Sequence, residues 1–323
     1  MKKWMIALMT IMIISVLSAC GQVANTSKTG ASNTGASNTS NTGKESGDGK
    51  SDLLVHSPDA KIASMSIHIT NNLLALGITP VGSVIGGDVK DFLPHVADRL
   101  NGVAKLGVVA DPDMEAVLGL KPDIIYIDDV YSGNDKSKFE KIAPTISIDM
   151  DSGTWRDHLK RIAEHVGREQ QADQFIEHYE EKAAQVSKLI HNELGQDAKV
   201  MAIRMTAKEL RVMGTRRPLG PIMFEDLKLN MADGVEKIAA DQPYEVISKE
   251  VLPDYNADAI FVIISKGNEA KRNFDEMEKN PVWQNLKAVK NKHVYVLDGQ
   301  KWLDYSSIGH DMALDDAEKL FTK

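Results

Sequence analysis

Apolar and polar positions along the chain fall into three regimes. Met5 to Leu17 is an almost unbroken apolar run that follows Lys2 and Lys3. From Gly21 to about Asp52 there is almost no apolar side chain. Beyond that, short β-type runs alternate with stretches of helical period, a rhythm that predicts a parallel sheet with helices on both faces. "KIASMS" predicts a strand, "HITNNLLALG" a helix closed by Gly77, and "ITPVGSVIG" a strand ending in a glycine loop. "VAKLG" is a short strand, and "DPDMEAVLGLKPD" a helix capped by Asp111 with Pro112 at its first position. "DIIYIDD", apolar almost throughout, and "KIAPTISID" follow as buried strands.

The rhythm stops at Thr154. From there to about Leu194 apolar residues keep helical spacing, among them Leu159, Ile162, Val166, Ile176, Tyr179, Ala183, Val186 and Ile190. Two helices are predicted, broken near Gly167, the second long and closed at Gly195. A helix of that length between two α/β halves acts as a rigid connector. After it "AKVMAIRMT" and "ELRVMG" predict a strand pair and "LGPIMFEDLKL" a helix. "EVISKEVLPDYNADAIFVIIS" predicts a helix and then a strand from Ala259 to Ser265. "NPVWQNLKAVKNKHVYVLD" predicts a short helix, a turn and the last strand, and "GHDMALDDAEKLF" a closing helix. The fold class expected is α/β: two doubly wound lobes, 53–167 and 196–323, joined by one long helix over 168–195.

The N-terminal regimes have their own chemistry. A positive start, a short apolar run and small residues before Cys20 make the layout of an export signal rather than a structural helix. Cys20 is the single cysteine of the chain, so no internal disulfide can form. Leu17-Ser18-Ala19-Cys20 resembles the lipobox of bacterial lipoproteins. That resemblance implies a signal peptide over 1–19 and a lipid anchor on the Cys20 thiol, where two or three acyl chains hold far more firmly than one. Residues 20–52, rich in Ser, Asn, Thr and Gly, cannot bury enough surface to order themselves and read as a tether with a reach of roughly 30 Å. About 270 residues remain for the body, enough for one large or two moderate domains. A formal net charge of −8 argues against a nucleic-acid binder. No second apolar run approaches a membrane span, so the body is expected to be soluble, extracytoplasmic and held at the cell membrane only by its N-terminus.

Several body segments, in order, resemble the iron-siderophore-binding lipoproteins of bacterial ABC importers, whose two lobes are joined by one long helix. "SMSIHITNNLLALGITPVGSV" is similar to the family's opening strand, helix and strand. "LGVVADPDMEAVLGLKPDIIYI" and "NPVWQNLKAVKNKHVYVLDGQKW" resemble its first-lobe and C-terminal signatures. The match spans roughly residues 57 to 323. It implies a monomeric substrate-binding protein that takes a ferric siderophore in a cleft between the lobes and passes it to an ABC permease. It implies no resident cofactor and no catalysis. Haem, cobalamin or ferric citrate remain alternative ligands, because they share the scaffold, and a tethered hydrolase or adhesin is a further class.

A ferric siderophore arrives with its iron saturated, so the protein needs cations against chelate oxygens and flat side chains against chelate faces. Arg204 directly follows the strand "VMAI" and resembles a second-lobe arginine that some members point into the cleft. Lys105 in "VAKLG" and Arg211, Arg216 and Arg217 around "GTRR" are further cationic candidates. Trp302 and Tyr305 follow the last strand in a loop that family members use at the cleft. The glycine loop "GSVIGG" offers backbone amides to a ligand or simply makes a turn. The resemblance also implies permease docking through a glutamate at the tip of each lobe, here Glu115 and Glu250. Of nine histidines, none forms an HExxH pair or a His/Cys cluster; His68 and His310 are the loop-adjacent ones. No protein-held metal is expected. There is no Gly-x-Ser-x-Gly elbow and no Walker loop.

Overall fold

The computed structural model describes residues 54–87, 89–130 and 136–322. The signal, Cys20 and the tether lie outside the described residues. The first sheet is built from β1 (Ile62–Ser64), β2 (Gly82–Ile85), β3 (Ala104–Val108), β4 (Asp111–Pro112), β5 (Ile124–Asp128) and β6 (Thr145–Ile148), in the order β4-β3-β2-β1-β5-β6. All its pairings are parallel except β3 with β4. Helices α1 (Ile67–Ala75), α2 (Met114–Leu120) and α3 (Lys136–Glu140) connect these strands. The β5 strand is buried at every position, as its continuous apolar run requires between two helical layers.

Two details differ from expectation here. The cap of α2 is Asp113, whose side chain accepts from the Ala116 amide. Asp111 and Pro112 instead pair back on β3 across a turn at Val109 and Ala110, with Gly107, φ +76°, opposite Pro112. A Cβ at Gly107 would lie 2.7 Å from the Asp111 carbonyl oxygen, so the chain can fold back only over glycine.

Helix α4 (Trp155–Val166) opens on a reciprocal cap between Thr154 and Asp157 and stops at Gly167 in a left-handed conformation. Helix α5 (Glu169–Leu194) follows, 26 residues long, or about 39 Å at 1.5 Å per residue. It buries one stripe, Ala172, Ile176, Tyr179, Ala183, Val186 and Ile190, whose alternating spacing of four and three is the helical period read in the sequence.

The second sheet holds β7 (Lys199–Met205), β8 (Leu210–Met213), β9 (Asn230–Met231), β10 (Tyr244–Ile247), β11 (Ala259–Ile264) and β12 (Val294–Val296). Its order is β10-β8-β7-β11-β12, with β9 on β7. The β7, β9, β11 and β12 pairings are parallel; β8 runs antiparallel to β7 and to β10. "LGPIMFEDLKL" forms a wide π-helical turn over Pro221–Asp226. The helix expected in "EVISKEVLPDYNADAIFVIIS" is instead the edge strand β10 followed by 3₁₀ turns over Lys249–Tyr255, where Pro253 removes a helical donor. Helices α6 (Asn268–Glu278), α7 (Pro281–Gln284), α8 (Lys287–Lys290), α9 (Gly299–Trp302) and α10 (Ser307–Phe321) complete the chain.

The closing helix α10, expected within the second lobe, packs on α1, α4 and α5. The chain therefore passes between the lobes twice, once along α5 and once between α9 and α10. One hydrophobic core carries side chains of both sheets, with Ile62 and Tyr126 in the same cluster as Ala259 and Phe261. No helix among the described residues is long and apolar enough to cross a membrane.

Candidate functional site

The lobes face each other across three adjoining cavities. The first, about 340 Å³, is walled by Asp151, Trp155, Arg156, His158, Arg216, Arg217, Glu225, Tyr305 and His310. The second, about 330 Å³, shares Asp151, Arg216, Arg217 and Tyr305 with it and adds Arg204 and Tyr244. The third, about 620 Å³, runs from Arg204 and Leu303 to Gly86 and Gly87 of the first lobe and to Ser265, Lys266 and Asp298 of the second. Gly86, Arg204, Ser265 and Asp298 stand at or just past the carboxyl ends of β2, β7, β11 and β12, where open α/β sheets bind ligands. The charged walls are Arg156, Arg204, Arg216, Arg217 and Lys266 against Asp151, Glu225 and Asp298, an excess of positive charge in a protein whose net charge is −8.

Each arginine is held differently. Arg204 donates from Nε to the Ser265 hydroxyl at 2.9 Å. Arg216 donates to the Asp241 carbonyl at 2.9 Å and keeps an exposed side chain. Arg217, in the loop after β8, pairs with Asp151 and donates to the Met150 carbonyl, both in the loop after β6. Its guanidinium also lies 4.5 Å from the Tyr305 ring. Arg156 joins α4 to the second lobe through Asp226 at 3.0 Å, and Tyr179 donates to the same carboxylate at 2.8 Å.

Tyr305 owes its place to a buried polar hub next to it. The Asp304 carboxylate accepts from Asn71 at 2.6 Å, meets His95 Nε2 at 2.9 Å, and lies 3.4 Å from His68 Nδ1. Burial would raise the Asp304 carboxyl, but hydrogen bonds and charge from His68 and His95 outweigh it and hold the group well below the usual carboxylate range. His68 then stacks on Tyr305, ring centroids 3.5 Å apart. Two histidines of the first lobe thus position the tyrosine that walls the cleft.

Two other histidines, His158 and His310, line the first cavity as buried neutral rings. Burial pushes His158 below its ordinary value and His310 down to about 4. Each ring meets a backbone carbonyl through one nitrogen, His158 at Ser152 and His310 at Ser306, and leaves the other unpartnered among protein groups. The cleft's positive charge is therefore that of its arginines and lysine. Among the described residues no cluster of three or more His, Cys, Asp or Glu could hold a metal ion.

Of the residues singled out by sequence, the structure brings Arg204, Arg216, Arg217 and Tyr305 to the cavity walls. Three others lie elsewhere. Trp302 is fully buried, its indole donating to Asp316 of α10 at 2.8 Å, which makes it a core residue. Lys105 is captured by Asp91 at 3.0 Å on the first-lobe surface and is not among the residues walling the three cavities. Arg211 pairs with Glu209 and covers the Tyr244 ring at 4.0 Å, and is not itself among the residues walling the three cavities. Glu115 and Glu250 are exposed, each beside an exposed apolar side chain, Leu118 and Val251. Sequence reasoning missed Asp151, Trp155, Tyr244 and the Asp304 hub. Asp151 carried a usable signal, since it lies in the loop three residues past the apolar strand "TISI".

Comparison with known proteins bears on the family and the fold. A family model described as periplasmic binding protein matches residues 62–301. The chain is 28% identical over 323 residues to the probable siderophore-binding lipoprotein YfiY of Bacillus subtilis (strain 168), covering 97% of this chain and 96% of that one. It is 30% identical over 303 residues to the iron(3+)-hydroxamate-binding protein FhuD of the same organism, covering 92% and 90%. Among solved structures, Staphylococcus aureus SirA complexed with staphyloferrin B matches with a TM-score of 0.70 at 25% identity, over 82% of this chain and 94% of that one.

Proposed function

We propose a function on one premise: the chain belongs to the periplasmic binding protein family. It is the substrate-binding lipoprotein of an ABC iron importer. It captures a ferric siderophore in the cleft between its lobes and delivers it to the permease. Cys20 carries the lipid that holds it on the extracytoplasmic face of the membrane, and the body works as a monomer. Glu115 and Glu250, exposed on separate lobes, are the permease contacts; two separated surface pairs fix an orientation even though each is weak. The protein binds and releases, and catalyses nothing.

The observation that carries this reading is the convergence of Arg204, Arg216 and Arg217 on adjoining cavities between the lobes. Guanidinium groups keep their charge at physiological pH and offer forks of donors suited to chelate oxygens. Trp155 walls the first cavity, so its emission reports ligand entry. The test is a fluorescence titration with ferric catecholate, hydroxamate and carboxylate chelates, haem and cobalamin. At least one ferric chelate should bind, and Arg204→Ala should weaken an anionic one at least tenfold, about 1.4 kcal/mol, with the melting temperature kept. Saturable binding of haem or cobalamin alone would overturn the siderophore reading. A stable Arg204→Ala protein with parental affinity for every chelate would remove that arginine from the site.

A further inference from the structure

Asp151 puts a carboxylate on the cleft wall between the lobes, where an anionic ligand would be expected to find cations. Asp151 sits in the loop after β6, in the first lobe, and pairs with Arg217 of the second lobe. Both residues wall the first and second cavities. The two partners are fixed unequally. The guanidinium is held by the Met150 carbonyl and by the Tyr305 ring, which His68 backs from its own side. The Asp151 side chain is 33% exposed. Ion pairs in contact with water are weak, because the solvent competes for both charges.

We propose that Asp151 is an internal counter-ion that an anionic chelate must displace from Arg217, and that this exchange makes Asp151 a specificity-determining residue of the cleft. The inference rests on the chelate-capture reading above. A chelate with several negative oxygens replaces the one carboxylate and gains the neighbouring Arg204 and Arg216 as well. A neutral chelate offers no charge in exchange and leaves the pair closed. Once ligand departs, Asp151 returns to Arg217, so the guanidinium is never left bare in the empty cleft. Glu225 also walls the first cavity. It supplies the control, since neutralising it removes a negative charge from the same cavity without touching the Asp151–Arg217 pair.

The experiment compares the parent, Asp151→Asn, Asp151→Ser and Glu225→Gln by fluorescence titration with ferric citrate, which is anionic, and with ferrichrome, a neutral ferric trihydroxamate. Melting temperatures confirm that each variant is folded, and the serine variant stands in if the asparagine one is not. Asp151→Asn should bind ferric citrate about tenfold more tightly than the parent, with ferrichrome affinity unchanged. In an Arg217→Gln background the gain should shrink to that of Glu225→Gln, because no pair is left to displace. Parental or weaker citrate binding by both Asp151 variants would overturn the proposal, as would equal gains for the two chelates or a gain in the Arg217→Gln background that stays above that of Glu225→Gln. A parent that binds no ferric chelate at all would instead overturn the function proposed above, so the two failures are distinct.

Discussion

The buried imidazole of His310 makes the stability of the protein depend on pH in a calculable way. The ring is 1% exposed, packed 5.3 Å from Trp155 and 6.3 Å from Tyr179, centroid to centroid. Burial pushes it from 6.5 to about 4; the hydrogen bond to Ser306 and the charges of Asp226 and Asp304 oppose the shift and are outweighed. The folded value lies below the unfolded one, so the fold favours the neutral ring. Above about pH 6.5 both states are neutral and His310 contributes no pH dependence. Below it the unfolded chain takes up a proton that the fold refuses until about pH 4. Stability therefore falls across this window by about 1.4 kcal/mol per pH unit, to a total of about 3 kcal/mol. Asp304, held far below the carboxylate range, contributes stability that is lost only at pH values below this window. His158 shifts in the same direction as His310 and adds to the slope. Urea unfolding of the parent and of His310→Gln at about pH 7, 6 and 5 isolates the one ring. The parent should lose about 2 kcal/mol more than the variant between pH 7 and pH 5. Equal losses would mean that His310 titrates normally in the fold and is not the desolvated ring described here.

Replacing both Glu115 and Glu250 by alanine should abolish iron uptake in cells while ligand affinity in vitro stays within about threefold, roughly 0.7 kcal/mol; normal uptake by the double variant would remove both from the permease contact. Cys20→Ala should release the protein from the membrane fraction or leave it unprocessed, with ligand affinity unchanged; membrane retention after signal removal would refute the lipid anchor.

How far the sequence carried depends on what kind of fact was being read. The stripe on α5 was legible because a buried helix face repeats every three to four residues whatever it packs against. What it packs against was not. The pattern of "GHDMALDDAEKLF" shows that a face of α10 is buried, but not that α1 and α5 bury it. Arg204 was legible because the carboxyl end of a parallel strand points at the ligand side. Trp302 and Tyr305 sit in one loop and looked alike, yet a short helical turn at Gly299–Trp302 aims the indole at Asp316 while Tyr305 walls the cleft. Lys105 and Arg211 are not among the cavity walls, and each is paired locally, with Asp91 and Glu209. Asp151 lies in the loop past the carboxyl end of β6, and nothing in the sequence marks it as the partner of Arg217 in the other lobe.

The contacts between the lobes differ in how easily they can change. The Arg156–Asp226–Tyr179 junction is largely enclosed, with the Asp226 side chain only 7% exposed. Asp304 is buried among His68, His95 and Asn71, and Ser307 of α10 bonds to buried Asn72. Opening the lobes as rigid bodies would strip these groups of their partners inside a low-dielectric interior, where an unpaired polar group is most costly. The continuous core beneath both sheets adds apolar area that a hinge would expose. The Arg217–Asp151 pair stands apart, because its carboxylate already meets solvent and can be replaced by another anion without leaving the guanidinium bare. Entry of a chelate is thus cheapest as a local exchange of partners at Arg217, with the lobes held in place by α5 and the Asp304 hub. A wide swing about a hinge would have to break the buried junctions first.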